Sequence, residues 1–306
     1  MNQWVYSMNE FLSIVPGQVP VPELHNHLLS GVSPRPIAFV STIDSKGNVN
    51  LSPYSFFNVF GANPPIAIFS PARRVRDNTT KHTLENALET KEVVINIVDY
   101  SMVQQVSLAS VEYPKGVNEF IKAGFTMLKS EMVQAPRVAE SPFQMEAKVI
   151  DVIQTGQQGG AGNLVVCEIL KVHIAKRILG QDGRIDPFKL DAVARAGGNW
   201  YLRAQGNALF EVPKPAGPEG IGIDGLPEFI RNHHELSGNH LGRMGNLDRL
   251  PSLEESTQYI HSQEFKTLAE QLKGNSSIQI AKILLEKEKP KEALMVLLGY
   301  NHHQSC

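Results

Sequence analysis

A glycine-rich segment between two β-rich runs is the sequence feature that most constrains the fold. Residues 143–149 alternate apolar and polar side chains, which predicts a strand with one buried face. Residues 154–163 contain four glycines and lead into a second β-rich run at 164–172. Two such runs joined by this segment predict a long antiparallel hairpin.

Further short runs extend the pattern. Those rich in β-forming residues lie at 36–42, 65–70 and 92–98, and helical spacing of apolar residues occurs at 79–90, 100–110 and 117–123. Strands and helices do not alternate regularly, which argues against a doubly wound parallel sheet. The sequence therefore predicts a mainly β fold, an antiparallel barrel with helical insertions.

The character of the chain changes after Ala204. Residues 211–227 are rich in proline and glycine, which is typical of a linker or an extended crossing segment. Beyond it, 253–272 and 277–298 are predicted helices, with Pro290 expected to restart the second one. We expect a barrel domain at 1–205, followed at 206–306 by a linker and a mainly helical C-terminal extension.

Composition bounds the function classes. The 29 basic and 31 acidic residues give a net charge of −2, so bulk charge gives no reason to expect a nucleic-acid or membrane partner. No apolar run approaches the roughly 20 residues of a membrane span. The start of the chain lacks the basic and apolar regions of a signal peptide. The only two cysteines, Cys167 and Cys306, form no disulfide framework, so we expect a cytoplasmic, reducing location.

Several short motifs lack the context that their chemistry needs. The string at 220–225 matches G-x-G-x-x-G, but a Pro/Gly-rich stretch precedes it and no helix pattern opens on its last glycine. No P-loop motif occurs. His234 and His240 are six residues apart, instead of the four that place two ligands on one helix face, and His25 and His27 are only two apart. We predict no metal site.

The residues that suit ligand chemistry lie between 35 and 83. The segment 50–58 combines hydroxyls, amides and aromatic rings, and Ser52 is expected to end a strand that Pro53 stops. Such a segment can lie along a planar polar ring. Downstream are residues that suit an oxyanion, namely Ser70, Arg73, Arg74, Arg76, Thr79, Thr80, Lys81 and Thr83. FMN and pyridoxal phosphate both fit this description; alternatively, the rings are core and the Arg/Thr stretch is a solvated helix start.

The same blocks resemble a known family. PRPIAFVSTIDSKGNVNLSPYSFFNVFGANPPIAIFS at 34–70, Lys81-His82-Thr83, and later blocks at 111–117, 136–142, 172–173 and 197–201 stand in the order found in flavin reductase-like FMN-binding split-barrel proteins. The resemblance covers roughly residues 28–204. One departure concerns the phosphate contact, because family members usually have Lys-Asp-Thr where this chain has Lys-His-Thr.

The resemblance implies a homodimer with FMN in clefts near the subunit interface. Carried over by motif, the FMN-binding residues would be Asn50, Ser52, Pro53, Tyr54, Ser55 and Phe56 along the ring and ribityl chain. Ser70, Lys81 and Thr83 would bind the phosphate.

Bound flavin would itself carry the hydride and electron chemistry, so no catalytic acid or nucleophile is obligatory. The weak catalytic candidates are His173 and Tyr201, over the flavin or near a nicotinamide, and Glu112 at a substrate entrance. A strand-end histidine and a surface carboxylate are the simpler interpretations of His173 and Glu112. With no separate dinucleotide-binding domain in the sequence, NAD(P)H would have to stack in the flavin cleft.

Three functions remain open at this point. The first is an NAD(P)H-dependent flavin reductase-like enzyme that acts on a small-molecule substrate. The second is a flavoredoxin-type electron carrier that serves a redox partner protein. The third is a flavin-free ligand-binding or structural split barrel.

Overall fold

The computed structural model describes residues 11–212 and 220–304. The chain divides into two compact units, which we call the sheet unit (11–210) and the helical unit (from 211 onward). The strands are β1 (Arg35–Pro36), β2 (Ala38–Ile43), β3 (Val49–Tyr54), β4 (Phe57–Ala62), β5 (Pro65–Phe69), β6 (Glu92–Ile97), β7 (Met127–Leu128), β8 (Arg137–Val138), β9 (Phe143–Gln154), β10 (Asn163–Ile174), β11 (Val193–Arg195) and β12 (Tyr201–Arg203).

The helices are α1 (Val21–Gly31), α2 (His82–Thr90), α3 (Val103–Leu108), α4 (Glu119–Ala123), α5 (Pro187–Leu190), α6 (Glu228–Arg231), α7 (Gly238–Gly245), α8 (Leu253–His261), α9 (Gln263–Gln271), α10 (Ser277–Glu286) and α11 (Pro290–Gln304). The first five belong to the sheet unit and the other six to the helical unit.

Seven strands form the main sheet in the order β3-β2-β6-β9-β10-β5-β4, and each neighbouring pair is antiparallel. The other strands of the described residues form a small three-stranded sheet, β1-β11-β12, and a two-stranded sheet, β7-β8. The prediction of a mainly β, antiparallel fold with helical insertions and a helical C-terminal region is therefore confirmed.

The predicted hairpin is β9–β10, with twelve residues in each strand. Its alternation places Gln144 and Glu146 opposite the apolar side chains, as expected, but both polar residues are also buried. The reason is that the segment before β9 covers this face. Gln144 donates to the Val138 carbonyl, and the backbone amides of Glu131 and Met132 donate to the Glu146 carboxylate.

The prediction that Pro53 stops the strand was wrong. β3 continues to Tyr54, and Pro53 lies opposite Phe39 of β2. Because β3 is an edge strand, it pairs on one side only, and a proline there removes no ladder bond. On its outer side, the Leu51 amide donates to the Glu119 carboxylate instead.

Two helix boundaries differ from their predictions. The helix predicted at 79–90 begins at His82, and the one predicted at 253–272 is interrupted. Ser262 ends α8 in an extended conformation, and its hydroxyl accepts from the Phe265 amide to start α9. Pro290 does begin a new helix, as predicted.

Each unit has its own apolar core. In the sheet unit, buried Phe39, Phe69 and Ile95 belong to clusters formed by residues 37–193. In the helical unit, Ile230, Met244 and Leu285 belong to a cluster formed by residues 226–297. Within the described ranges, no helix is long and apolar enough to span a membrane.

Candidate functional site

The end of β3 and the first turn of α2 meet at one buried hydroxyl. Thr83 Oγ1 accepts from Asn50 Nδ2 at 2.7 Å and from the Tyr54 hydroxyl at 2.8 Å. Burial raises the pKa of Tyr54 to about 12, so the phenol stays protonated and can donate. Two of the predicted FMN-binding residues thus contact a third, Thr83. Thr83 accepts both of these hydrogen bonds and can still donate its own proton.

The segment after β3 is partly open. Ser52, Pro53 and Ser55 are half-buried, and Phe56 is 40% exposed. Arg35 Nε donates to Ser55 Oγ at 3.4 Å, and the His25 ring of α1 lies nearly perpendicular to the Phe56 ring at a centroid distance of 6.2 Å. This segment keeps hydroxyls and one aromatic side chain accessible to a planar ligand.

Ser70 lies directly beside this segment. Its amide donates to the Phe56 carbonyl at 2.9 Å, and its hydroxyl accepts from the Asn163 amide at 3.1 Å. Asn163 Nδ2 donates to the Pro71 carbonyl at 2.8 Å, whereas Asn163 Oδ1 is buried without a partner among the described residues. A buried acceptor of this kind needs a donor, and a bound polar ligand can supply one. Sequence reasoning missed Asn163, whose only signal is its place at the end of the glycine-rich segment.

The glycine-rich segment packs closely on the chain that follows β5. A Cβ at Gly162 would lie 3.0 Å from Ser70 Oγ, and one at Gly159 would lie 3.0 Å from the Arg74 carbonyl oxygen. The Arg73 amide also donates to the Ala161 carbonyl at 2.9 Å. Glycine is therefore needed here for close approach, which fixes the position of residues 70–74.

Three cations, which we call the cation cluster (Arg74, Arg76 and Lys81), surround one carboxylate. Glu112 lies 2.9 Å from Arg74 Nε, 3.0 Å from Arg76 and 3.5 Å from Lys81. Its hydrogen bond from Arg74, together with the nearby charges, lowers the pKa of Glu112 despite some burial. Arg74 also donates to the Thr79 hydroxyl at 2.8 Å. These donors suit an anion, and Glu112 already occupies the position that they surround.

His82 adds no charge to this cluster at neutral pH. Burial lowers the pKa of His82, and Arg74, Lys115 and Lys81 act in the same direction, against Glu85. The departure from the family pattern thus leaves an uncharged ring, instead of a carboxylate, next to Lys81.

The three weak catalytic candidates lie in different surroundings. His173 Nε2 is 2.7 Å from the buried Glu146 carboxylate. Ten residues along β10 separate His173 from Asn163, which corresponds to about 30 Å of strand, so within one chain His173 is remote from Ser70. Tyr201 packs beneath Arg195, and Glu112 lies within the cation cluster.

Comparison with known proteins identifies the family. The model of the flavin reductase like domain matches residues 30–187, just over half of the chain. The chain belongs to the flavin reductase-like family. An uncharacterised protein of Aquifex aeolicus is 35% identical over 189 residues, which cover 62% of this chain and 94% of that protein.

Two solved structures have a similar fold. Component B of nitrilotriacetate monooxygenase from Bacillus cereus is 30% identical with a TM-score of 0.61, over 66% of this chain and 98% of that one. The 2-nitrobenzoate 2-nitroreductase from Pseudomonas fluorescens is 25% identical with a TM-score of 0.57, over 67% and 100% of the two chains. Family membership supports flavin binding and oxidoreductase chemistry for this flavin reductase-like chain.

The residues fit a flavin. The unpaired Asn163 oxygen, the open segment at 52–56 and the cation cluster offer an acceptor, a surface for a planar ring and donors for an anion. Ser70 connects the first two through its hydrogen bonds to Phe56 and Asn163.

Proposed function

We propose that this protein binds FMN and works as an NAD(P)H-dependent flavin reductase-like oxidoreductase. The observation that carries the proposal is the arrangement of groups around Ser70. There the half-exposed polar and aromatic segment at 52–56 lies beside Asn163 Oδ1, a buried acceptor that lacks a donor among the described residues. Four residues after Ser70, Arg74 is the first member of the cation cluster. A ligand with a planar polar ring and a phosphate matches this spatial arrangement of groups.

In this proposal, the chain binds and orients the cofactor at two ends. Arg74 and Lys81 hold the phosphate, and the Thr79 hydroxyl, which precedes α2, lies beside Arg74. Ser52, Ser55 and the backbone beside them hold the ring, and Phe56 limits the access of water to it. The FMN supplies the hydride and electron chemistry when bound.

A nicotinamide donor would bind beside the flavin, since the described residues form an antiparallel sheet and small helices without a strand–helix dinucleotide fold. The electron acceptor is a small molecule or a protein. The similar Bacillus cereus protein is one component of a monooxygenase, which supports keeping a partner protein as the alternative acceptor.

We also propose a homodimer. β4 is a sheet edge, and Phe56, Val59 and Phe60 beside and along it are 40%, 51% and 64% exposed. A run of exposed apolar side chains at a sheet edge is typical of a surface that another chain covers.

The test is the visible absorption spectrum of the purified full-length protein under anaerobic conditions, before and after NADH or NADPH. The released ligand is identified by chromatography. Flavin bands that bleach on addition of NAD(P)H support the reductase. Bands that persist favour the electron carrier, and a colourless protein that takes up no added FMN contradicts the proposal.

The phosphate contact has its own test. Lys81→Ala is expected to weaken FMN binding roughly 10- to 100-fold, the worth of one charge-assisted hydrogen bond, and to leave riboflavin binding unchanged. Lys46→Ala, which removes an exposed lysine from the turn after β2, is the matched control. Equal losses for FMN and riboflavin would show that Lys81 does not contact the phosphate.

A further inference from the structure

A cavity lies on the small sheet β1-β11-β12. Its volume is about 360 Å³, in the range of small-ligand sites. Arg195 pairs with Tyr201, and Val193 pairs with Arg203, so these four side chains project from the same face of the sheet. Tyr100, just before α3, lines the same cavity.

One arginine of the cavity is already neutralised. The guanidinium of Arg203 lies 3.8 Å above the centre of the Tyr100 ring and makes two hydrogen bonds of 2.7 Å to the Asp191 carboxylate. These contacts raise the pKa of Arg203, chiefly through the bond to Asp191. Arg203 therefore holds the half-exposed Tyr100 ring in place without adding net charge.

The other arginine has no carboxylate. Arg195 lies 4.4 Å above the centre of the Tyr201 ring and donates to the Gly198 carbonyl oxygen at 2.5 Å. No acidic group lies within ion-pairing distance of it in the part of the chain that the structure describes. Its cross-strand partner is a second guanidinium, Arg35, whose pKa is lowered by burial and then by the charge of Arg195. The cavity thus has an uncompensated positive charge beside aromatic rings.

We propose that this cavity binds a planar aromatic carboxylate. The ring of the ligand packs among Tyr100, Tyr201 and the arginine faces, since tyrosine and guanidinium planes both stack on flat rings. The carboxylate pairs with Arg195, whose planar donors match its two oxygens, and Asn199 offers an amide at the cavity wall. Of the two arginines that line the cavity, only Arg195 lacks a carboxylate partner among the described residues, which favours a singly charged carboxylate over a doubly charged phosphate. The site goes beyond the proposed flavin function and does not depend on it.

The experiment is a calorimetric titration of the full-length protein with 2-naphthoate, and with the uncharged 2-naphthamide for comparison. We expect saturable naphthoate binding that Arg195→Gln weakens by roughly 10- to 100-fold. The amide should bind equally to both proteins. Arg184→Gln removes an exposed arginine of the same unit and is expected to change nothing.

A second variant separates a lost contact from a lost fold. Arg195→Lys keeps the charge but not the planar donors, so it should retain an intermediate affinity, and circular dichroism checks that each variant is folded. Absence of saturable naphthoate binding overturns the proposal, and so does equal binding of naphthoate and naphthamide.

A competition experiment separates this cavity from the flavin site. Riboflavin added to the naphthoate complex is expected to leave naphthoate bound. Displacement of naphthoate by riboflavin would assign the cavity to the flavin instead and overturn the proposal, while the FMN proposal would still stand.

Discussion

Replacement of Glu112 by glutamine tests whether the cation cluster is the phosphate site. The Glu112 carboxylate lies 2.9 Å from Arg74 and 3.5 Å from Lys81, where a phosphate would otherwise accept their hydrogen bonds. A bound phosphate must displace it. We therefore expect Glu112→Gln to bind FMN more tightly than the wild-type protein does, with no change for riboflavin.

The magnitude follows from the ion pairs of Glu112 with Arg74 and Lys81, the two cations that are proposed to hold the phosphate. Glu112 is 40% exposed, Arg74 is 15% exposed and Lys81 is 30% exposed, so water screens both pairs. Partly exposed ion pairs contribute about 0.2–1 kcal/mol each, so their loss lowers the FMN Kd by about 2- to 30-fold. Because exposed charges are screened by salt, the gain should shrink between 50 mM and 500 mM NaCl.

Fluorescence quenching of FMN and of riboflavin gives the two Kd values in parallel titrations. Asp182→Asn removes an exposed acidic group elsewhere in the sheet unit and controls for the change in net charge. Weaker FMN binding in Glu112→Gln would refute the reasoning, because Glu112 would then position the cations instead of competing with the phosphate. An equal change for both ligands would place the phosphate elsewhere.

Four further predictions concern assembly and stability. Phe60→Lys, at the exposed β4 edge, should convert the proposed dimer to a folded monomer, as measured by light scattering and circular dichroism. Burial raises the pKa of Cys167 to about 12, so a Cys306→Ser protein should react with a thiol reagent only after unfolding. Leu285→Ala should destabilise the helical unit by about 2–5 kcal/mol in denaturant unfolding, because its side chain is fully buried. Burial alone would raise the pKa of Glu146, but its hydrogen bonds outweigh this and lower it. The stability that Glu146→Gln loses at pH 7 should therefore diminish as the pH falls below the ordinary carboxyl value of 4.5.

The main sheet could be predicted because its signals are local. Alternation in β9 and the glycines after it specify a hairpin without knowledge of distant residues. Pro53 misled the prediction because its meaning depends on which strands flank β3, and edge position is a tertiary property. The break at Ser262 was missed because the apolar spacing continues on both sides of it, whereas capping by one hydroxyl decides the boundary.

The candidate site could be predicted only in part for a similar reason. Ser52, Ser70 and Lys81 stand close together in sequence, so their chemistry is visible as a cluster of residue types. Asn163 reaches Ser70 from 93 positions away. Arg195 also has a partner that is distant in sequence, because it pairs across the strands with Arg35. Such juxtapositions depend on the pairing of strands that are distant in sequence, which no local pattern specifies.

The separate apolar cores of the two units bear on how this chain can change during evolution. Among the described residues, the apolar core of the helical unit consists of side chains from 226 to 297. The Aquifex aeolicus relative matches over nearly its whole length while covering under two thirds of this chain. A substitution in the helical core is therefore accommodated first by its neighbours in the same cluster. Selection can reshape the helical surface, or exchange it for another, while the residues around Ser70 remain under their own constraints.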